Sequence, residues 1–99
     1  MVGIEILIRI KPDKRVEFLQ AFDILKQLDQ LGDSRVDLGL FEQVKKPNTF
    51  LWVEHWDTDE SLAKYYHHNK YKAMMGAIDI MGQLVQRRIF SIKEEKTNE

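Results

Sequence analysis

The fold is decided by residues 50–75, FLWVEHWDTDESLAKYYHHNKYKAMM, where a predicted strand runs directly into a predicted helix. This stretch holds both tryptophans, all three tyrosines and all three histidines of the 99-residue chain. Its first part, Phe50–Trp56, alternates side chains between two faces as a strand does. Asp57 or Thr58 is predicted to cap the helix, because a side-chain oxygen there accepts a hydrogen bond from a free backbone N–H. The rest of the chain is interpreted as the scaffold of this junction.

The helical segment after the junction reaches about Met81, where Gly82 closes it. Its apolar residues form two patches, and the second has the i, i+3, i+4, i+7 spacing of an amphipathic helix. The run His67-His68-Asn69 lies between the patches, so we expect two short helices or one kinked helix. The first patch comprises Leu62, Tyr65 and Tyr66; the second comprises Tyr71, Met74, Met75, Ile78 and Met81.

The elements around the junction predict an α+β fold. Isoleucine recurs at every second position from residue 4 to residue 10, which indicates a strand. The other predicted elements are a helix over Asp13–Leu31 that Gly32 ends, a strand over Ser34–Lys45 and a strand over Leu84–Lys93. Within Ser34–Lys45, we expect Val36, Leu38 and Leu40 to share one face. The order βαββαβ is that of the ferredoxin-like fold, with an antiparallel sheet.

Both helices of such a fold cover the same face of the sheet. The predicted strands nevertheless carry apolar residues on both faces, and an uncovered apolar face of this kind usually marks an interface. We therefore predict a homodimer that packs sheet face against sheet face. The pattern leaves open which face carries Trp52, Glu54 and Trp56. On the dimer side, Glu54 would need a partner such as Arg9 or Arg88; on the helix side, the two tryptophans would line a pocket.

Length, composition and charge limit the number of domains, the kinds of partner and the cellular location. We expect a single domain over residues 1–93 and a solvated tail over residues 94–99. A net charge of -1 without a basic stripe argues against a nucleic-acid partner. No apolar run approaches the roughly 20 residues that span a membrane. The absence of cysteine and of a signal-peptide pattern leads us to expect a cytoplasmic protein.

The run VEHWDTDESLAKYYHHNKYKAMMGAIDIMG, residues 53–82, followed by QRRIFSI, residues 86–92, resembles the antibiotic biosynthesis monooxygenase (ABM) family. Members show a strand ending in Glu-x-Trp, an acidic turn, an amphipathic helix and a final strand. The resemblance implies a dimeric α+β barrel. It also implies one of several activities, which include cofactor-independent oxidation of quinols or polyketide aromatics and haem degradation.

Two positions depart from the family pattern. Tyr65 and Lys70 stand where many monooxygenase-like members have histidine. The haem-degrading members resemble the chain at Trp56, but they would require tryptophan at position 65 and histidine at position 75, where this chain has Tyr65 and Met75. Haem degradation is therefore not expected.

The function that follows from the resemblance is monooxygenation of a small aromatic or quinol bound between sheet and helices. His68 is the predicted base, because imidazole titrates near neutrality, and Tyr65 is the second predicted catalytic residue. The deprotonated substrate would itself reduce dioxygen, so no cofactor is expected. The predicted substrate-binding residues are Trp52, Glu54, Trp56, Tyr66, His67 and Met75.

The alternative is a dimeric protein that binds a small apolar ligand, or has a regulatory role, without catalysis. Tyr65 and Tyr66 also suit the edge of a core, since a tyrosine ring is apolar and its tip polar. His67 and His68 are adjacent, so on a helix they diverge by about 100° and share no ligand. No metal site is expected.

Overall fold

The computed structural model of the protein describes residues 1–28 and 35–92. Its strands and helices, in chain order, are β1 Val2–Ile10, α1 Arg15–Leu28, β2 Arg35–Glu42, β3 Thr49–Trp56, α2 Asp59–Tyr66, α3 Asn69–Met81 and β4 Gly82–Ser91. A single 3-10 turn, Pro12–Lys14, leads into α1. The predicted α+β ferredoxin-like fold is confirmed, with its second helix divided in two. The predicted helix end at Leu31 and Gly32, the strand start at Ser34, and residues 93–99 lie outside the described residues.

The four strands form one antiparallel sheet in the order β2-β3-β1-β4. β1 lies in the middle of the sheet and pairs with both β3 and β4; Ile4, for example, lies between Glu54 and Ile89. β2 and β3 form the predicted hairpin, and its turn contains Asn48 with a φ of 66°. Asparagine tolerates this left-handed conformation better than most residues.

The core lies between the helices and one face of the sheet. Ile4, Ile6 and Ile8 of β1 have no exposed surface, and Phe18 of α1 and Ile78 of α3 pack into the same cluster. The even-numbered side chains of β3, residues 50 to 56, are buried on this face as well. The tryptophans of β3 therefore face the helices, which answers the question that the sequence pattern left open.

The other face of the sheet, here called the open face, carries no helix of the described residues. Its central row runs across three strands, where Leu51 pairs with Phe41 on one side and with Leu7 on the other. Phe41 keeps 62% of its surface exposed. In the neighbouring row, Arg88 Nη2 donates to Glu5 Oε2 over 2.5 Å. The open face thus combines an apolar row with an ion pair.

One prediction about β2 is wrong. The register of β2 against β3 shifts between Arg35 and Asp37, so that Arg35 lies opposite Trp56 and Val36 is the extra residue of a bulge. Val36 is consequently exposed rather than sharing the inner face with Leu38. A bulge inserts one residue into the alternation of a strand and reverses the faces beyond it.

The start of β4 also differs from the prediction. The strand begins at Gly82, directly after α3, without a connecting loop. A Cβ atom at Gly82 would lie 2.1 Å from the carbonyl oxygen of Arg9. Glycine is required here because the two backbones approach so closely, and Gly82 both ends the helix and opens the strand.

Candidate functional site

A cavity of about 220 Å³ lies between α1, α3 and the sheet. Its floor is the indole of Trp52 on β3. Its walls are apolar side chains of the two helices: Phe18, Phe22 and Leu25 from α1, and Met74, Ile78 and Met81 from α3. Three small alanines, at positions 21, 73 and 77, leave the space unfilled. Lys70, in the first turn of α3, is the one charged residue in the lining.

The orientation of Trp52 is set by a buried carboxylate beside it. Glu54 has no exposed surface, and its Oε2 accepts a hydrogen bond of 3.0 Å from Trp52 Nε1. Its Oε1 accepts from Trp56 Nε1 at 3.3 Å and from Arg35 Nη1 at 2.7 Å. Side chains two apart on a strand share a face, so residues 52, 54 and 56 form one row. The carboxylate of Glu54 therefore holds both indoles and the guanidinium of Arg35 by hydrogen bonds.

The Arg35–Glu54 pair is buried on both sides: the side chain of Arg35 is 3% exposed. The guanidinium lies 5.3 Å from the ring centre of Trp56 and 5.1 Å from that of Tyr65, within cation–π range. Glu54 is therefore a member of a structural ion pair. Arg9 and Arg88 were expected as partners only if Glu54 lay on the dimer side, and Glu54 instead faces the helices.

Aromatic rings fill the space between this ion pair and α2. Trp56 and Tyr65 are 4.7 Å apart between ring centres, and Tyr71 lies 5.4 Å from Tyr65 and 4.8 Å from Tyr66. The hydroxyl of Tyr65 points at Met74 Sδ over 3.8 Å. These packed rings leave Trp56, Tyr65 and Tyr66 outside the lining of the cavity.

Arg87 of β4 contacts two tyrosines of this aromatic cluster. Its Nη1 donates to the Tyr71 hydroxyl over 2.6 Å, and its guanidinium lies 5.3 Å from the ring centre of Tyr66. Burial raises the pKa of Tyr66 to about 12, against the opposing effect of Arg87. The Tyr66 hydroxyl oxygen is buried and makes no hydrogen bond within the described residues. Tyr66 is thus a neutral phenol at physiological pH.

The two adjacent histidines occupy the break between α2 and α3. His67 is the C-cap of α2, and its side chain is exposed. His68 is the N-cap of α3, and its Nδ1 accepts a 3.0 Å hydrogen bond from the backbone N–H of Lys70. An imidazole nitrogen that accepts a hydrogen bond holds its lone pair there. The Nδ1 atom of His68 is therefore occupied by the cap of α3.

The structure brings the predicted site residues together in two groups. Trp52, Glu54, Trp56 and Tyr65 are buried next to one another, with the partly buried Tyr66 packed against them, and of these Trp52 alone lines the cavity. His67 and His68 lie at the exposed helix break, and Met75 packs against the core from α3. Among residues 1–28 and 35–92, no three histidine or carboxylate side chains are grouped as a metal site would need.

Sequence reasoning missed three residues of this region: Arg35, Arg87 and Lys70 as a lining residue. Arg35 and Arg87 both reach the inner face of a strand that contains a register shift, which simple alternation does not reveal. Lys70 carried a signal, since it is a basic residue in the first turn of a helix, where acidic residues are favoured.

Comparison with known proteins identifies relatives along most of the chain. The sequence model of the family described as antibiotic biosynthesis monooxygenase matches residues 1–77. A protein of Bacillus subtilis (strain 168) named "Putative monooxygenase YcnE" is 34% identical over 67 residues, which are 68% of this chain and 70% of that protein.

Solved structures with the same fold cover nearly the whole chain. A "putative antibiotic biosynthesis monooxygenase" from Deinococcus radiodurans superposes with a TM-score of 0.84 at 16% identity, covering 100% of this chain and 99% of its own. A mutant of SnoaB, a cofactor-independent oxygenase from Streptomyces nogalater, gives a TM-score of 0.80 at 12% identity, covering 99% and 97%. At these identities the likeness shows the fold alone. No helix of the described residues is long and apolar enough to cross a membrane.

Proposed function

This chain belongs to the antibiotic biosynthesis monooxygenase family, and from that premise we propose that it is a monooxygenase that oxidises a small hydroxyarene or quinol in the cavity above Trp52. The cavity is the observation that carries this proposal. Its apolar walls suit an aromatic ring and dioxygen, both of which prefer an apolar environment to water.

The proposed reaction replaces a ring C–H para to the hydroxyl of a hydroxyarene. A base takes the hydroxyl proton, and the anion passes one electron to dioxygen. The resulting superoxide and aryloxyl radical combine at the para carbon, and the base returns its proton to the peroxide. Loss of the C–H proton then breaks the O–O bond. For α-naphthol, one dioxygen gives naphthoquinone and one water. In a quinol, whose para carbon already carries oxygen, the same steps take place at a C–H ortho to a hydroxyl and give a hydroxyquinone and one water.

His68 remains the predicted base. It lies at the N-terminus of α3, two residues before Lys70, which lines the cavity. Tyr65 remains the second predicted catalytic residue. It does not line the cavity, but its hydroxyl contacts Met74, which does. If His68 takes the proton, His68→Ala lowers the oxidation rate at neutral pH by about a hundredfold. The rate should recover at a pH high enough to ionise the substrate without help. Lys64→Ala, at an exposed position of α2, should leave the rate unchanged.

The direct test is dioxygen consumption and quinone formation with a panel of hydroxyarenes and quinols. Ala77→Phe should lower the rate at least tenfold, because Ala77 lines the cavity and the added ring would take up space that the substrate needs. Ala63→Phe, on an exposed position of α2, is the matched control. No dioxygen consumption across the panel would refute the monooxygenase proposal, and equal rates in both variants would place the reaction elsewhere.

A second candidate function is binding without catalysis. It is favoured by the lining of the cavity, which includes neither predicted catalytic residue. Binding of the same aromatics that is abolished by Ala77→Phe, together with an absence of dioxygen consumption, would support this function.

We further propose that the protein is a homodimer joined through the open face. The row of Phe41, Leu51 and Leu7 gives that face an apolar centre, and a second copy would remove it from water. An isologous pair brings the same row against itself.

A further inference from the structure

We propose that the ligand of the cavity is an aromatic molecule of one or two rings that carries one anionic oxygen-acid group, and that the ammonium of Lys70 binds this group. The inference rests on the proposed function only in taking the cavity as the ligand site. It adds the size of the ligand, its charge and the residue that selects the charge.

The volume limits the ring system. An apolar cavity of roughly 150 Å³ holds a single benzene ring, and pockets for drug-sized ligands begin at roughly 300 Å³. At about 220 Å³, this cavity lies between the two. The alanines at positions 21, 73 and 77 and the large side chains of α1 and α3 fix that size. Because the cavity opens to solvent at the exposed Ala21 and Ala73, a third fused ring would project from it rather than lie within it.

The lining limits the position of polar groups. Ten of the eleven lining residues are alanine, aliphatic, methionine or aromatic, and Lys70 is the remaining one. A polar group deep in the cavity would lose its hydration without a hydrogen-bonding partner among the walls, which is costly. The polar end of a ligand must therefore lie at the opening to solvent, which Lys70 borders together with the exposed Ala21 and Ala73. The lysine side chain is exposed, so its stem borders the cavity while its ammonium reaches solvent at the opening.

The side chains of the first turn of α3 make the charge at that opening positive. The backbone N–H groups at the start of a helix attract anions, and acidic side chains are usually placed there. α2 follows this pattern with Asp59 and Glu60 in its first turn, whereas α3 has no acidic residue in its first turn and carries Lys70 instead. Lys70 forms no ion pair with a carboxylate of the described residues. Because the backbone N–H groups of Lys70, Tyr71 and Lys72 already donate to His68, a ligand anion at the opening would meet the ammonium of Lys70.

The test compares two ligands of nearly equal shape, β-naphthoate and β-naphthylmethanol, by isothermal titration calorimetry near neutral pH. The first carries a carboxylate and the second an uncharged hydroxyl. We expect the wild-type protein to bind the carboxylate about tenfold more tightly, the usual worth of a hydrogen bond to a charged group. In Lys70→Gln this preference should disappear, with the affinity for the alcohol changed less than twofold.

Two further variants complete the design. Lys70→Arg should keep the preference, because the cation is retained. Lys72→Gln, an exposed lysine of the same helix that does not line the cavity, should also keep it. Circular dichroism of each variant checks that the fold is intact. Equal affinities for the two ligands in the wild type, a preference that survives Lys70→Gln, or no binding of either ligand would overturn the inference.

The outcomes separate this inference from the proposed function. Lys70-dependent binding of β-naphthoate without oxidation of any hydroxyarene would leave the inference standing and the monooxygenase proposal refuted. Oxidation of α-naphthol that is indifferent to an added carboxylate and to Lys70→Gln would leave the monooxygenase proposal standing and the inference overturned.

Discussion

At the scale of single residues, Glu54 organises the interior. It is fully buried on the middle of a strand, and it accepts hydrogen bonds from two indoles and one guanidinium. A buried carboxylate is tolerated only when its charge is compensated in this way. Because one of its donors is Trp52, the same carboxylate that balances Arg35 also fixes the floor of the cavity. Glu54 therefore positions the site without lining it.

Removal of Arg35 should destabilise the fold strongly. In Arg35→Met, Glu54 loses the guanidinium that compensates its charge, and breaking a buried pair in this way costs about 3–5 kcal/mol. Chemical denaturation followed by tryptophan fluorescence measures the change. Lys14→Met removes a cation from an exposed pair with Glu17 at 3.5 Å and should cost about 0.5 kcal/mol or less. Similar losses in both variants would contradict the role given to the buried pair.

The residue types of this cluster were predictable, but their partners were not. The sequence places residues 52, 54 and 56 on one face of a strand and implies that a buried Glu54 needs a cation. It does not identify Arg35, because alternation counted from Leu38 puts Arg35 on the opposite face. The bulge at Val36 reverses that order. The cost of leaving Glu54 uncompensated favours an arginine over a valine on the inner face.

At the scale of elements, no loop separates α3 from β4, since α3 ends at Met81 and β4 begins at Gly82. Gly82→Ala should destabilise the protein by about 1–3 kcal/mol, because its Cβ would collide with the backbone of Arg9 and separate β1 from β4. Gly76→Ala is the matched control: it lies within α3 with nothing within 4 Å of the added atom. Alanine should stabilise that helix by roughly 1 kcal/mol. Thermal unfolding of the two variants should therefore shift in opposite directions.

A second link between elements joins the start of α1 to the β2–β3 hairpin, and it should depend on pH. The guanidinium of Arg15, with help from the backbone N–H of Asn48, lowers the pKa of Glu42 to about 2. The unfolded value is about 4.3, so this stabilisation is fully present above that pH and is lost as the pH falls towards 2.

The wild-type melting temperature should consequently fall more steeply between pH 5 and pH 2 than that of Glu42→Gln. Arg15→Met should flatten the slope in the same way, since it removes the other partner. Because both groups are exposed, added salt should shrink the difference. Parallel slopes in the wild type and both variants would show that the pair contributes nothing to acid stability.

The elements themselves were predictable because their periodicities are strong. Alternating isoleucines mark β1, and the polar run at His67-His68-Asn69 marks the break between α2 and α3. The sequence left Asp57 and Thr58 as alternative caps of α2, and the structure has Thr58. The two register shifts were not predictable, since a bulge leaves no change in composition. Most of the lining of the cavity was not predictable either, because it includes alanines on two helices that are distant in the sequence.

At the scale of the whole molecule, the open face is the main feature that a monomer does not explain. Leu51→Glu should convert a dimer into a monomer, because the new carboxylates would be buried against an apolar row without partners. Sedimentation velocity at micromolar concentration measures the change. Ile80→Glu, on an α3 residue that is 71% exposed, should remain dimeric. A monomeric wild type, or a dimer that persists in Leu51→Glu, would refute the proposed assembly.

Because α3 continues into β4 without a loop, ligand binding in the cavity could be coupled to dimerisation through the open face. Met81 lines the cavity, and the next residue is already paired in the sheet, opposite Ile10. A ligand that displaces Met81 would therefore move the strand that carries Arg88 and Phe90 on the open face. Any such coupling is reciprocal: the factor by which a ligand changes the dimer dissociation constant equals the factor by which dimerisation changes ligand affinity. Occupancy of the cavity and the concentration of the protein would then be two controls on one equilibrium.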